Sequence, residues 1–333
     1  MILGTHNAKF HFDEVLATAM LLNLYPDAKL LRTRFQDALD QCDIIYDVGS
    51  VYDSAKLRFD HHQRTFTETF SEKYDVKLSS AGLVYRHFAK KLLKKYDITP
   101  SQMNIDDIYE EYFIAVDASD NGIENPMKYK KRAMATIVSD FYMPLLPEDE
   151  EEVQNIFPNL IIPVKYQKKN DNNEIQILES TSRRFKLALK CVYRDFNNYM
   201  RRKAEFFKQL EEGFDLMENL DSHVLIVPKE RDLTLESAFT LNKRLNKQLL
   251  FIIYCKPTGG FRIYTVRKYL DRFESVIYLN EEWRGLRDEE LKKVSGIKTA
   301  TFVHASGFTG GTMDLEDAKK MCEISIEKYH KTT

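Results

Sequence analysis

Short apolar runs and helix-period segments alternate over the first sixty residues. Met1–Gly4 reads as a buried strand. Asp13–Leu24 reads as a helix with Val15, Leu16, Ala19, Met20 and Leu22 at helical spacing, and Leu30-Leu31 and Ile44–Tyr46 lie in two further strands. Pro26-Asp27 and Asp53-Ser54 supply turns. Strands separated by a helix predict βαβ units and a parallel sheet. Ser79–Tyr96 predicts a helix capped by Ser79 or Ser80, with Leu83, Val84, Phe88, Leu92 and Leu93 on one face. A second helix is predicted from Ile105 to about Ala118, closing at the turn Ser119–Gly122.

The middle of the chain carries an acidic run, Glu148–Glu152, and a polar stretch, Lys168–Asn173, that reads as a loop or hairpin tip. Arg183–Glu212 is a long helical pattern, with nine basic and two acidic residues between 183 and 208. Such a run is a solvated helix face or a track for a nucleic-acid backbone. Strand patterns return at Val224–Val227, Leu249–Tyr254, Phe261–Val266 and Thr301–His304, and Thr258-Gly259-Gly260 predicts a hairpin. These patterns give an α/β fold: a parallel-sheet N-terminal domain over 1–180, a basic helical connector over 181–221 and a smaller α/β C-terminal domain over 222–333.

A length of 333 residues fits about two domains. Hydrophobic residues at 43% and charged residues at 30% exclude bulk disorder. The net charge of −2 removes a global basic field, so nucleic-acid binding requires a local patch. The longest apolar run, Leu249–Cys255, is far short of the roughly 20 residues a membrane span needs. Cys42, Cys191, Cys255 and Cys322 are widely separated, which excludes a disulfide framework and a thiolate zinc knuckle and fits a reducing compartment. The chain opens without a basic and apolar leader, so cytosol or nucleus is the expected location.

Four of the eight histidines fall within the first 62 residues, each near an aspartate. His6, His11 and Asp13 stand at the junction of the first strand and helix. Asp47 ends the run Ile44–Tyr46, and Asp60-His61-His62 ends Leu57–Phe59. Asp117 and Asp120 close a predicted helix. Singly, each fragment reads as a cap or a surface pair. Three fragments in order at three consecutive strand ends read as one site, because open α/β sheets bind ligands at the carboxyl ends of their strands. Imidazole and carboxylate without thiolate form a ligand set for Mn²⁺, Mg²⁺, Fe²⁺ or Zn²⁺.

The order of these groups resembles the DHH phosphoesterase superfamily and, within it, the melanocyte-proliferating-gene (Myg) exonuclease family. The matching segments are G-T-H-N-A-K-F-H-F-D-E at 4–14, Y-D-V-G at 46–49, F-D-H-H-Q-R-T-F at 59–66, L-S-S-A-G-L-V-Y at 78–85 and D-A-S-D-N-G-I at 117–123. W-R-G-L-R-D at 283–288 and F-V-H-A-S-G-F-T-G-G at 302–311 complete the set. The resemblance implies a metal-dependent 3′→5′ exonuclease of single-stranded RNA or oligonucleotides, with two divalent cations and no membrane partner, and adds mitochondria to the possible compartments. It implies that His6 and His11 hold one metal and Asp13 and His61 the other, with Asp47 bridging. His62 is expected to face the scissile phosphate and to point away from His61, Asp60 to fix an imidazole, and either Asp117 or Asp120 to complete the ligands. Where most members of the superfamily have D-x-D, this chain has His11-x-Asp13. That leaves three carboxylates against two dications, favours an anionic substrate, and tilts preference from Mg²⁺ toward Mn²⁺.

His304–Gly311 follows a strand and precedes the helical pattern Asp314–Ile324. It reads as a simple turn or, with the resemblance, as a substrate grip in which His304, Gly307, Gly310 and Gly311 approach phosphate at a helix start. Arg64 and Arg284 join the implied substrate contacts, and Trp283 is either a stacking platform or a core residue. The implied active site lies in a cleft between the two domains. Two rival functions fit the same residues. One is a phosphoesterase of small substrates such as pyrophosphate or short oligonucleotides. The other is a metal-stabilised RNA-binding protein without turnover.

Overall fold

The computed structural model describes residues 1–123, 132–162, 172–269 and 272–332. Most of the polar stretch Lys168–Asn173 lies outside them. The chain divides into two compact units, Met1–Ala204 and Glu205–Thr333.

In the first unit, β1 (Ile2–Thr5), β2 (Lys29–Arg32), β3 (Ile44–Tyr46), β4 (Tyr52–Asp53) and β5 (Arg58–Phe59) form a sheet in the order β2-β1-β3-β5-β4. All neighbours are parallel except β4 against β5. The order reverses between β1 and β3, and His6 and Asp47 immediately follow those two strands. A topological switch point with polar groups at its carboxyl ends is where such sheets take ligands. The edge strand β2 is covered by a segment around Leu160–Ile162, whose backbone bonds with Leu30 at 2.7 and 2.8 Å.

α1 (Phe12–Leu24) is buried along its whole length from Asp13 to Asn23, so its apolar residues face a core on every side. In sequence it is followed by α2 (Gln36–Leu39), which closes a small cluster with Leu31, Cys42 and Ile45. α3 (Ser80–Lys95), capped by the Ser79 side chain, packs along α1. The helix expected over Ile105–Ala118 is α4 (Gln102–Ile108), a π-helical turn over Tyr109–Phe113 and α5 (Ile114–Asp120). α6 (Met134–Asp140) and α7 (Pro147–Asn155) follow, and the acidic run forms the body of α7.

The basic run lies in α8 (Asn172–Glu218), a helix of 47 residues within which the division between the two units falls. Arg183 and Lys190 pair with Glu150 and Glu152 of α7, Lys203 with Asp107 and Glu111, Arg202 with Glu111 and Lys208 with Glu212. Arg184 and Lys186 donate to the carbonyls of Tyr142 and Val153. The positive run thus engages the chain's own acceptors.

The second unit holds β6 (Val224–Val227), α9 (Leu235–Arg244), β7 (Phe251–Cys255), β8 (Phe261–Thr265), α10 (Asp288–Ser295), β9 (Ala300–Val303), β10 (Thr309–Thr312) and α11 (Leu315–Thr332). The sheet order is β6-β7-β8-β10-β9, parallel only between β6 and β7. Phe251, Ile253, Ile263 and Val303 line one face and form a core with Leu291, Met321 and Trp283. β7 and β8 form the predicted hairpin around Gly259-Gly260. The α/β architecture with two sheets is as the sequence predicts.

Candidate metal centre

His6 leaves β1 fully buried. Its Nδ1 lies 3.0 Å from the Asn7 carbonyl, an acceptor, so Nδ1 carries the hydrogen and donates. Nε2 then faces two carboxylates, Asp47 Oδ2 at 3.0 Å and Glu14 Oε1 at 3.1 Å. A lone pair between two carboxylates requires a proton or a cation. Burial opposes charge on His6, but the two acids outweigh it and raise the imidazole to about 10. Glu14 also accepts the His11 backbone N–H at 2.9 and 2.8 Å, which ties the start of α1 to this site.

Asp47 ends β3 in the left-handed region, at φ 57°. Its second oxygen, Oδ1, lies 3.3 Å from His61 Nε2. His61 Nε2 is also 3.3 Å from Asp120 Oδ2. Burial would raise the Asp47 carboxyl, yet His6 and His61 hold it well below the usual range. Asp13 faces the same space. Ser80 donates to its Oδ2 at 2.6 Å, while Oδ1 is buried without a hydrogen-bond partner. Burial and the adjacent Asp47 push Asp13 upward, and burial with Asp13 pushes Asp120 to about 7.

Among the described residues three donor groups result: His6, His11, Glu14 and Asp47; Asp47, His61 and His62; and Asp13, His61 and Asp120. Within each, one atom from every residue lies within 4.8 Å of the others. Asp47 and His61 are the shared members. Crowded buried acids, an orphaned carboxylate oxygen and an imidazole lone pair facing two carboxylates fit divalent cations. His11, His61, Asp13 and Asp120 also line a cavity of about 480 Å³ with Lys9 and Tyr142.

The structure separates Asp117 from Asp120. Asp117 accepts the Ser79 N–H at 2.9 Å, the Ser79 hydroxyl at 2.6 Å and the Tyr109 hydroxyl at 2.8 Å, so it braces α3 against α5 outside the cluster. Asp60 Oδ1 accepts from His62 Nδ1 at 2.6 Å. His61 and His62 do not diverge, however. Residues 60–62 lie past the end of β5, and the two ring centres are 4.4 Å apart with the rings tilted by 48°. Glu14 is a ligand candidate that the sequence pattern does not single out. Its one signal there is its place three residues after His11. With it, the candidate carboxylates number four: Asp13, Glu14, Asp47 and Asp120.

Other expected contacts are also redrawn. Trp283 is 2% exposed in the second unit's core, so it offers no stacking surface. His304–Gly311 is not a helix start. It is the β9–β10 hairpin, with Gly310 and Gly311 inside β10 and Gly307 at the turn with φ 73°. A Cβ on Gly310 would meet Leu279 Cδ1 at 2.8 Å, so that glycine serves packing. His304 is exposed and bonds Ser306 Oγ at 2.8 Å. Arg284 Nε donates to the Leu279 carbonyl, and Arg64 is exposed outside the donor groups.

A family model for MYG1 exonuclease, described as an uncharacterised protein family (UPF0160), matches residues 2–326. The chain belongs to the MYG1 family. The mouse protein "MYG1 exonuclease" is 35% identical over 345 residues, covering 97% of this chain and 84% of the relative. The Saccharomyces cerevisiae "MYG1 protein YER156C" is 33% identical over 344 residues, covering 97% and 94%. The Dictyostelium discoideum "MYG1 protein" is 31% identical over 338 residues, covering 100% and 98%. Among the described residues, no helix is long and apolar enough to cross a membrane.

The buried acids and imidazoles set a pH signature for the cation-free MYG1-family chain. Burial lifts Asp117 and Asp120 to about 7 and Glu14 to about 8, while carboxylates overcome burial to lift His61 to about 9 and His6 to about 10. Between the unfolded and folded values of each group the native state holds a proton that the unfolded chain releases, so stability falls as pH rises. His11 and His87, lowered by burial, act oppositely in a narrow range near the ordinary histidine value. In chelator, the melting temperature is expected to fall by at least about 5 °C between about pH 5 and pH 9. Added Mn²⁺ should raise it most at the alkaline end, where ligands need no proton displaced. A melting temperature that climbs over this range in chelator would contradict the arrangement.

Proposed function

We propose that the chain is a metal-dependent 3′→5′ exonuclease of single-stranded RNA, with a DHH-type catalytic unit that takes two divalent cations. The observation that carries this reading is the placement of Asp47. One of its oxygens faces His6 and the other faces His61, so a single carboxylate serves two adjacent donor groups. His6, His11 and Glu14 would hold one cation, Asp13, His61 and Asp120 the other, and Asp47 both. The relatives named exonucleases support a phosphodiester substrate. Three imidazoles in the ligand set support Mn²⁺ over Mg²⁺, which prefers all-oxygen coordination.

Bound by these residues, two cations would lower the pKa of water and offset charge on a phosphodiester. The chain's own groups supply the rest. Asp60 holds His62 through Nδ1 and favours its protonated form, and the ring is 58% exposed, so the Nε2–H of the imidazolium would donate to a phosphate oxygen or pass its proton to the departing alkoxide. Asp60 is itself fixed by the Ser50 N–H at 2.5 Å, which sets the ring's angle.

The test is incubation of the purified chain with 5′-end-labelled single-stranded RNA and Mn²⁺. A ladder shortening from the 3′ end that vanishes with chelator is the expected result. Cleavage of dinucleotides alone would make the chain a small-substrate phosphoesterase, and absence of cleavage on every phosphodiester would overturn the reading.

A further inference from the structure

The second unit's sheet has one face packed on its core and another that carries a different set of side chains. Across that other face, directly paired residues form a continuous row. Tyr254 pairs with Arg262, Arg262 with Gly311, Gly311 with Phe302, and Phe302 with Arg287, which extends the sheet by one antiparallel bridge. Directly opposed residues project to the same side, so these five share a face. Their alternating neighbours Ile253, Ile263 and Val303 point into the core.

Glycine at the centre of the row is a spatial requirement. A Cβ on Gly311 would lie 2.9 Å from Phe302 Cε1 and 3.0 Å from Thr301 Oγ1. The Phe302 ring therefore leans over bare backbone. Arg262, two strands away, reaches across and sets its guanidinium 4.6 Å from the ring centre, and the Arg287 guanidinium lies 5.6 Å from it. Neither arginine forms an ion pair with any described residue. Tyr264, two residues beyond Arg262 on β8 and on the same face, stacks edge-on against Tyr254 at 5.9 Å. Phe302, Arg262, Tyr264 and Tyr254 are half-buried and Arg287 is exposed.

Two guanidinium groups orient on one aromatic ring, and neither is ion-paired to a described carboxylate. Arginine held by a ring keeps its fork of donors directed outward and suits phosphate, and a sheet face with aromatics is a stacking surface for bases. We propose that the Arg262–Phe302–Arg287 row binds the phosphate backbone of a single-stranded nucleic acid. The proposal rests on the nuclease reading above and extends substrate contact to residues that lie outside the donor groups and outside the His304–Gly311 hairpin turn.

The test measures binding of a fluorescein-labelled single-stranded 20-mer of uridylate to the full chain by anisotropy, in an Asp47→Asn background that prevents turnover. Arg262→Gln and Arg287→Gln should each raise Kd by about 5- to 10-fold and lower the slope of log Kd against log salt by roughly 0.7 for each phosphate no longer neutralised. Arg262→Lys and Arg287→Lys keep the charge and should keep the slope while binding somewhat less tightly. The melting temperature of each variant identifies loss of fold, and the lysine variants serve if a glutamine variant melts early. Unchanged Kd and slope in all four, with the background protein binding RNA, would overturn this site alone. Failure of the background protein to bind any oligonucleotide would overturn the nucleic-acid reading with it.

Discussion

Replacing Asp47 by Asn is expected to reduce RNA hydrolysis by about 1000-fold or more, equivalent to about 4 kcal/mol of lost transition-state stabilisation. Bound metal should fall in the same variant, because one carboxylate serves two donor groups. Asparagine is the right replacement for a backbone reason. Asp47 sits at φ 57°, where Asn, like Asp, is tolerated, whereas alanine costs roughly 1–2 kcal/mol and would confuse lost chemistry with lost fold. Elemental analysis, circular dichroism and rate on one preparation separate the outcomes. Near-normal turnover with two metals per chain would remove the bridging role of Asp47.

Gly82→Ala is expected to destabilise the first unit by about 3–5 kcal/mol, although helix propensity alone predicts a gain of about 1 kcal/mol. The added Cβ would lie 2.4, 2.5 and 2.7 Å from Oδ1, Oδ2 and Cγ of Asp117. That carboxyl cannot swing aside without leaving the Ser79 N–H, the Ser79 hydroxyl and the Tyr109 hydroxyl, at about 1 kcal/mol each and more for buried groups left unpaired. A fall in melting temperature of about 10 °C follows. Asp117→Ala in the same chain makes room for the methyl group, so the double variant should lose less than the sum of the two single losses. Wild-type stability in Gly82→Ala would mean that α3 and α5 pack more loosely than this approach requires.

The first sheet and the imidazole–carboxylate cluster were legible because each of His6, His11, Asp13, Asp47 and His61 follows an apolar run that could only be a buried strand or begins the helix after one. Glu14 was hidden because an acid in a helix's first turn has an ordinary capping explanation, and only the fold brings it to His6. The choice between Asp117 and Asp120 lay beyond periodicity. The two lie three residues apart on one side of α5, and only their tertiary partners distinguish them: Ser79 and Tyr109 for Asp117, His61 for Asp120. Thr309–Thr312 carries two glycines and no strand signature. It is a strand because β8 and β9 offer it pairing on both sides. Trp283 could have faced either way, and the core of the second unit claims it.

Burial of α1 on every side bears on how the chain is made. This helix leaves the ribosome before α3, bearing Asp13 and Glu14 among apolar residues that no local partner can shield. Its principal cover, α3, ends ~70 residues later, between Leu24 and Lys95, which at 5–20 residues per second leaves the nascent segment exposed for roughly 4–14 seconds. The segment that positions the site thus waits for its cover, and its demand for chaperones should be greatest during synthesis and small afterwards.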